Sequence, residues 1–182
     1  LCLVGSEMCI RDRFTLDKAK AQTEEDGSIN STLMPVNYYD LRFGNMCNLA
    51  CRMCGPTDSH TWYEQWIDYH NTDGYNDTHG RVTLKRNEKG RLFTNDYDWH
   101  GGEVFWDSIE SNIPNIQHVY MAGGEPMMIA RHYEFLQKCI DSGYAKKIII
   151  EYNTNMTNLP ERVLEMWKKF KQVRVGASID GF

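Results

Sequence analysis

Cys47, Cys51 and Cys54 stand in the run Cys47-Asn48-Leu49-Ala50-Cys51-Arg52-Met53-Cys54, a C-x3-C-x2-C arrangement within eight positions. A loop this short brings three thiolates to three corners of a metal centre and supplies no fourth. Structural metal sites are closed, whereas catalytic ones keep a position open for an outside ligand. Four thiolates are the usual complement of an electron-carrying iron–sulfur cluster, so three point to a cluster with one iron left available. Two other readings stand beside this one: three reduced core cysteines, or a zinc site completed by Cys139 or His60. The chain has no second C-x2-C or H-x3-H pair of the kind that a four-ligand zinc site normally uses. Cys139 lies beside Phe135, Leu136 and Ile140, which reads as the core face of a helix.

Three later segments add polar groups. Gly123-Gly124-Glu125-Pro126 places two glycines, which let backbone approach a ligand closely, before a carboxylate able to accept from an ammonium group. Asn153-Thr154-Asn155 and Ser178-Ile179-Asp180-Gly181 offer small hydroxyl, amide and carboxylate side chains suited to a nucleoside-like ligand. Singly, each of these segments also reads as a turn or an Asx cap.

The elements that position them alternate along the chain. Strands are expected over residues 37–43, 116–121, 147–152 and 172–178, several with adjacent β-branched residues, as in parallel strands covered on both faces. Helices are expected over 59–69, 103–112, 131–142 and 161–170, where apolar residues recur at helical spacing. Gly143 marks a helix stop and Pro160 a helix start. The alternation predicts βα units and a parallel sheet, with every polar segment directly after a strand, where α/β folds bind ligands. Residues 71–102 break the rhythm as a polar insertion, with a hairpin expected around Asn87-Glu88-Lys89-Gly90, serving either as peripheral decoration or as a wall over the site.

Asn45 to Pro56, with the three cysteines, resembles the signature of the radical S-adenosylmethionine (radical SAM) superfamily. Met53 stands where many members carry an aromatic residue before the last cysteine. Gly123, Gly124, Glu125 and Pro126 resemble the family's GGEP motif, and Thr154, Asn155, Ser178 and Asp180 resemble its cofactor-lining strand ends. The resemblance covers residues 37–182 and implies a partial (β/α)6 TIM-like barrel, truncated after about four strands. It implies that Cys47, Cys51 and Cys54 hold a [4Fe–4S] cluster whose fourth iron binds S-adenosyl-L-methionine, and that the remaining motif residues contact that cofactor. Reductive cleavage to a 5′-deoxyadenosyl radical, hydrogen abstraction from a substrate, and an electron donor such as flavodoxin or ferredoxin follow from the same resemblance. The local sequence is similar to members with an auxiliary twitch or SPASM extension that modify peptides. Tyr152, His60 and Arg52 are candidates to face the substrate, with no acid or base assigned. The alternative is a non-enzymatic zinc or iron–sulfur module that recognises a protein partner.

The chain has 182 residues, 41% of them hydrophobic and 12% aromatic, enough for a packed domain. A net charge of −5 argues against a nucleic-acid or membrane-surface partner, and no apolar run approaches the roughly 20 residues of a membrane helix. Six cysteines, half of them in one loop, point to a reducing compartment, with the cytoplasm expected. Residues 1–13 include Met8-Cys9-Ile10-Arg11-Asp12, which reads like a translated sequencing adapter, so they are expected to be a scar, followed by an extension over 14–35 and the core domain over 36–182. The chain is expected to be a fragment of a longer protein.

Overall fold

The computed structural model describes residues 20–21, 23–29, 35–76, 82–95 and 97–179. The expected scar, most of the expected extension and Asp180 lie outside these residues. The chain divides into two units, residues 1–36 and 37–182. In the first, Thr23 and Ile29 form an antiparallel bridge around a turn in which Asp26 accepts from the Ser28 amide.

In the second unit, β1 (Tyr38–Arg42) leads through the cysteine loop and a 3-10 turn (His60–Trp62) into α1 (Tyr63–His70). The insertion then supplies β2 (Tyr75–Asn76), β3 (Thr83–Arg86) and β4 (Leu92–Phe93), a small antiparallel sheet that contains the expected hairpin. Next come α2 (Glu103–Ser111), β5 (His118–Ala122), α3 (Ala130–Asp141), β6 (Ile149–Thr154), α4 (Glu161–Trp167) and β7 (Gln172–Ala177). β1, β5, β6 and β7 form one four-stranded sheet in that order, all neighbours parallel. The sheet is not closed into a barrel among the described residues.

Arg42 pairs with Ala122 and Thr154 with Ala177, so the carboxyl ends of the strands share one rim. This is why the cysteine loop, the Gly-Gly turn and the segment after β6 are neighbours although far apart in sequence. The apolar face of the sheet, with Leu41, Val119, Met121, Ile150 and Tyr152, packs on Trp106 and Ile109 of α2, Phe135, Leu136 and Cys139 of α3, and Val163 and Met166 of α4. The expectation that both faces of the strands are covered is corrected: the face away from the helices carries Asp40 and Arg42, which are exposed, and Tyr120, Glu151 and Arg174, which are half-buried. Asp40 pairs with Arg42 at 3.3 Å, and Glu151 lies 3.0 Å from His118 Nε2 and 3.8 Å from Arg174. Charged residues alternate with apolar ones in β1 and β6, a period that leaves one face wet.

Beneath the sheet's covered face, His132 and Tyr152 are wholly buried and share a hydrogen bond of 2.7 Å, while Trp167 donates to the Tyr152 hydroxyl. Burial alone holds the His132 imidazole down to about 3. The native ring therefore stays neutral where the unfolded one takes a proton, and stability falls as pH drops from about 6.5 toward 3. The expected slope is up to about 1.4 kcal/mol per pH unit in that window. Urea midpoints between pH 7 and pH 4 check it: the profile of His132→Phe should be flatter than that of the parent.

Candidate functional site

The cysteine loop is anchored before any cofactor is considered. Asn45 is buried at its start, where its side-chain amide donates to Pro56 O at 2.7 Å and to the Tyr63 hydroxyl at 2.6 Å. One side chain thus ties both ends of the loop to α1. The Cys47 amide donates to His60 Nδ1 at 3.2 Å, and the hydroxyls of Ser59 and Thr61 both donate to Leu49 O. Trp62 Nε1 donates to Cys51 O, and a turn from Cys54 N to Cys51 O closes the last span. Each of these bonds satisfies loop backbone that could not otherwise lie against protein.

Cys47 is buried, Cys51 and Cys54 are half-buried, and none of the three is in a disulfide. They share the loop without converging on a point: among the described residues no three His, Cys, Asp or Glu side chains are grouped closely enough to hold a metal ion. The candidates for a fourth zinc donor are otherwise engaged. Cys139 is sealed in the core, where burial pushes its thiol up to about 12. His60 uses its Nδ1 on the Cys47 amide.

The Gly-Gly turn lies directly on this loop. Glu125 N donates to Met46 O at 2.7 Å, and a Cβ at Gly124 would stand 2.3 Å from the same oxygen, at a left-handed φ of 51°. Only glycine fits there, so here the absent side chain serves contact between two loops. Glu125 itself is fully buried. Its Oε1 accepts from Thr154 Oγ1 at 2.7 Å and Met127 N at 3.1 Å, and its Oε2 accepts from Asn155 N at 2.8 Å. A carboxylate offers about four lone-pair sites, so the chain's own donors leave it one.

The segment after β6 completes the junction. Asn155 Nδ2 donates to Asn48 Oδ1 at 2.9 Å and lies 3.7 Å from Cys47 Sγ, while Asn48 Nδ2 donates to the Thr157 hydroxyl. Gly123 to Pro126, Thr154, Asn155 and Cys47 are thus brought together. Ser178 is exposed and its amide donates to Thr154 O at 2.9 Å, extending the β6–β7 ladder to the same rim. Tyr152 belongs to the core. The anchoring roles of Asn45 and Thr157 carry no sequence signal, because a lone Asn or Thr in a loop has no pattern separating an anchor from a turn.

The insertion packs against the segments on either side of the cysteine loop. Val82 and Leu84 pack on Tyr63 and Ile67 of α1, and Arg86 pairs with Glu64 at 3.1 Å. At its far end Trp99 stacks on Phe43 and donates to Arg42 O, while a Cβ at Gly44 would stand 2.9 Å from Tyr97 Cβ. Both flanks of the cysteine loop are therefore braced by residues that sequence reading left divided between wall and decoration.

A family model described as the radical SAM superfamily matches residues 41–182. The chain belongs to this superfamily of S-adenosylmethionine-cleaving radical enzymes, whose members typically use a [4Fe–4S] cluster. No curated protein and no solved structure matches the chain.

The donors around Glu125 set an expectation for its amide variant. Glu125→Gln turns an NH2 group toward a donor, so it should destabilise the fold by about 1–3 kcal/mol. Urea denaturation measures this, and proton exchange of the Asn155 and Met127 amides should accelerate along with it.

Proposed function

We propose that Cys47, Cys51 and Cys54 hold three irons of a [4Fe–4S] cluster, and that Gly123, Gly124, Glu125, Pro126, Thr154, Asn155, Ser178 and Asp180 border S-adenosyl-L-methionine at the fourth. The observation that supports this most is that the loop carrying the three cysteines is bonded to the Gly-Gly turn, through Met46 O and Glu125 N, and to the β6 tail, through Asn48 and the Cys47 sulfur against Asn155, at a single rim. The donor set fits the group: three sulfurs and no nitrogen or carboxylate ligand suit iron–sulfur chemistry, and the Asn155 amide gives the Cys47 sulfur a hydrogen-bond donor. When bound, the cluster and cofactor supply one-electron cleavage of the sulfonium and a 5′-deoxyadenosyl radical that abstracts hydrogen from substrate.

The chain's own residues position and seal. Asn45, Ser59, His60 and Trp62 fix the loop backbone, so closing the thiols around a cluster needs side-chain rotation more than loop refolding. Glu125, Thr154 and Met127 form a floor without solvent access, which keeps water from the underside of the site. Ser178 is exposed at the rim and free to meet a ligand from solvent. The same reading takes a flavodoxin or ferredoxin as electron donor, a peptide as substrate and the cytoplasm as compartment. No helix among the described residues is long and apolar enough to cross a membrane.

The zinc or partner-binding alternative is weaker, since a closed site needs a fourth donor and both candidates are engaged. Electron paramagnetic resonance on the chain, reconstituted anaerobically with iron and sulfide and then reduced, separates the two. The expected result is a [4Fe–4S]+ signal whose g-values move on adding S-adenosylmethionine and which is lost in Cys51→Ala. A signal blind to the cofactor, or zinc bound without a cluster in folded protein, would overturn the proposal.

A further inference from the structure

Between the cysteine loop and the insertion lies a cavity of about 290 Å³, with Met53, Cys54, Asp58, Trp66, Tyr75 and Val82 among its walls. Small-molecule sites span roughly 300–1,000 Å³, so this one has room for a single side chain or a short-stemmed ion. Met53 to Asp58, the end of the cysteine loop with Cys54 of the proposed cluster, form one side of it, and Trp66 of α1 with Tyr75 and Val82 of the insertion form the other.

Two of its walls are aromatic and nearly perpendicular. The Trp66 and Tyr75 rings stand at 80° with centroids 6.0 Å apart. His70 packs against both, at 5.4 Å from Trp66 and 5.0 Å from Tyr75, which fixes their orientation. A third wall carries Asp58, whose Oδ2 accepts from Gly55 N at 3.2 Å and Thr57 Oγ1 at 3.0 Å. Its Oδ1 has no partner among the described residues, so one oxygen of a held carboxylate remains available.

Aromatic faces attract a cation through their quadrupole, and a carboxylate on another wall adds a charge contact. A neutral apolar occupant would leave Asp58 unused, and an anion would meet the Asp58 carboxylate. We propose that this cavity binds an organic cation: the ammonium group of a lysine side chain, or a free alkylammonium ion of the same size. The site needs no cluster and no S-adenosylmethionine, and so goes beyond the function proposed above.

The test uses the chain without iron, labelled with 5-fluorotryptophan, with the Trp66 resonance identified by its loss in Trp66→Phe. The probes are N-acetyl-lysine N-methylamide, n-butylammonium and the neutral N-acetyl-norleucine N-methylamide. The ammonium probes should shift the Trp66 fluorine resonance saturably and leave those of Trp106 and Trp167 in place, while the neutral probe has no effect. Asp58→Asn keeps an oxygen for the Gly55 amide and should weaken binding about fivefold, and Tyr75→Leu should weaken it by a similar factor. Binding of the lysine derivative alone would identify a peptide side chain as the occupant; binding of both would show that the charged group suffices. Equal binding of the norleucine probe, an Asp58→Asn affinity matching the parent, or no saturable shift with either cation would overturn the proposal. Because no iron is present, failure here and failure of cluster assembly are separate results.

Discussion

The buried carboxylate of Glu125 holds the site together. Two of its three hydrogen bonds reach the end of β6, through Thr154 and Asn155, and the third turns its own chain into the helical turn at Met127. Its backbone amide meanwhile holds Met46, the residue before the first cysteine. A desolvated carboxylate tolerates burial only when its acceptors are filled, so these donors form as a set or the fold carries the full desolvation cost. Everything at the rim inherits its placement from this junction. The Cys47 sulfur lies within reach of the Asn155 amide because Asn155 is itself fixed by Glu125.

Much of this frame was legible in the residues. Four strands and four helices lie close to where periodicity put them, because a parallel strand buried against helices and a helix with one apolar face both leave strong periodic signatures. The cysteine loop was legible for a different reason: its chemistry needs thiols at short fixed spacing, and spacing survives in sequence. The junctions were not legible. Asn45 bonding to Pro56 and Tyr63, or Asn48 to Thr157, are single side chains meeting distant partners, with no repeat to mark them. Glu125 was visible as a motif member, yet nothing in a Gly-Gly-Glu-Pro run says that its carboxylate is turned inward onto neighbouring strand ends.

The sheet itself shows where local pattern was overread. Adjacent β-branched residues suggested two covered faces, but Asp40, Arg42, Glu151 and Arg174 all stand on one side, and their pairing with each other and with His118 keeps that side polar. The insertion shows the converse, a segment whose polarity suggested periphery. Its few apolar residues, Val82, Leu84, Tyr97 and Trp99, are the ones that dock, and they do so on either flank of the cysteine loop. A polar average concealed a small number of well-placed contacts.

The pairing of β1 with β5, in which Tyr38 meets His118, has a consequence for how the chain acquires its shape. The cysteine loop, α1 and the whole insertion lie in the excursion between those two strands. Closing an excursion costs entropy that rises only logarithmically with its length, so a long segment here is thermodynamically cheap. Kinetically the order matters, since pairings distant along the chain form late and slow the search. The β5–β6–β7 portion, joined by short helical crossovers, is the part able to assemble first. The cysteine loop, carried between β1 and β5, therefore gains its fixed place only with the pairing of greatest sequence separation in the sheet, Tyr38 with His118.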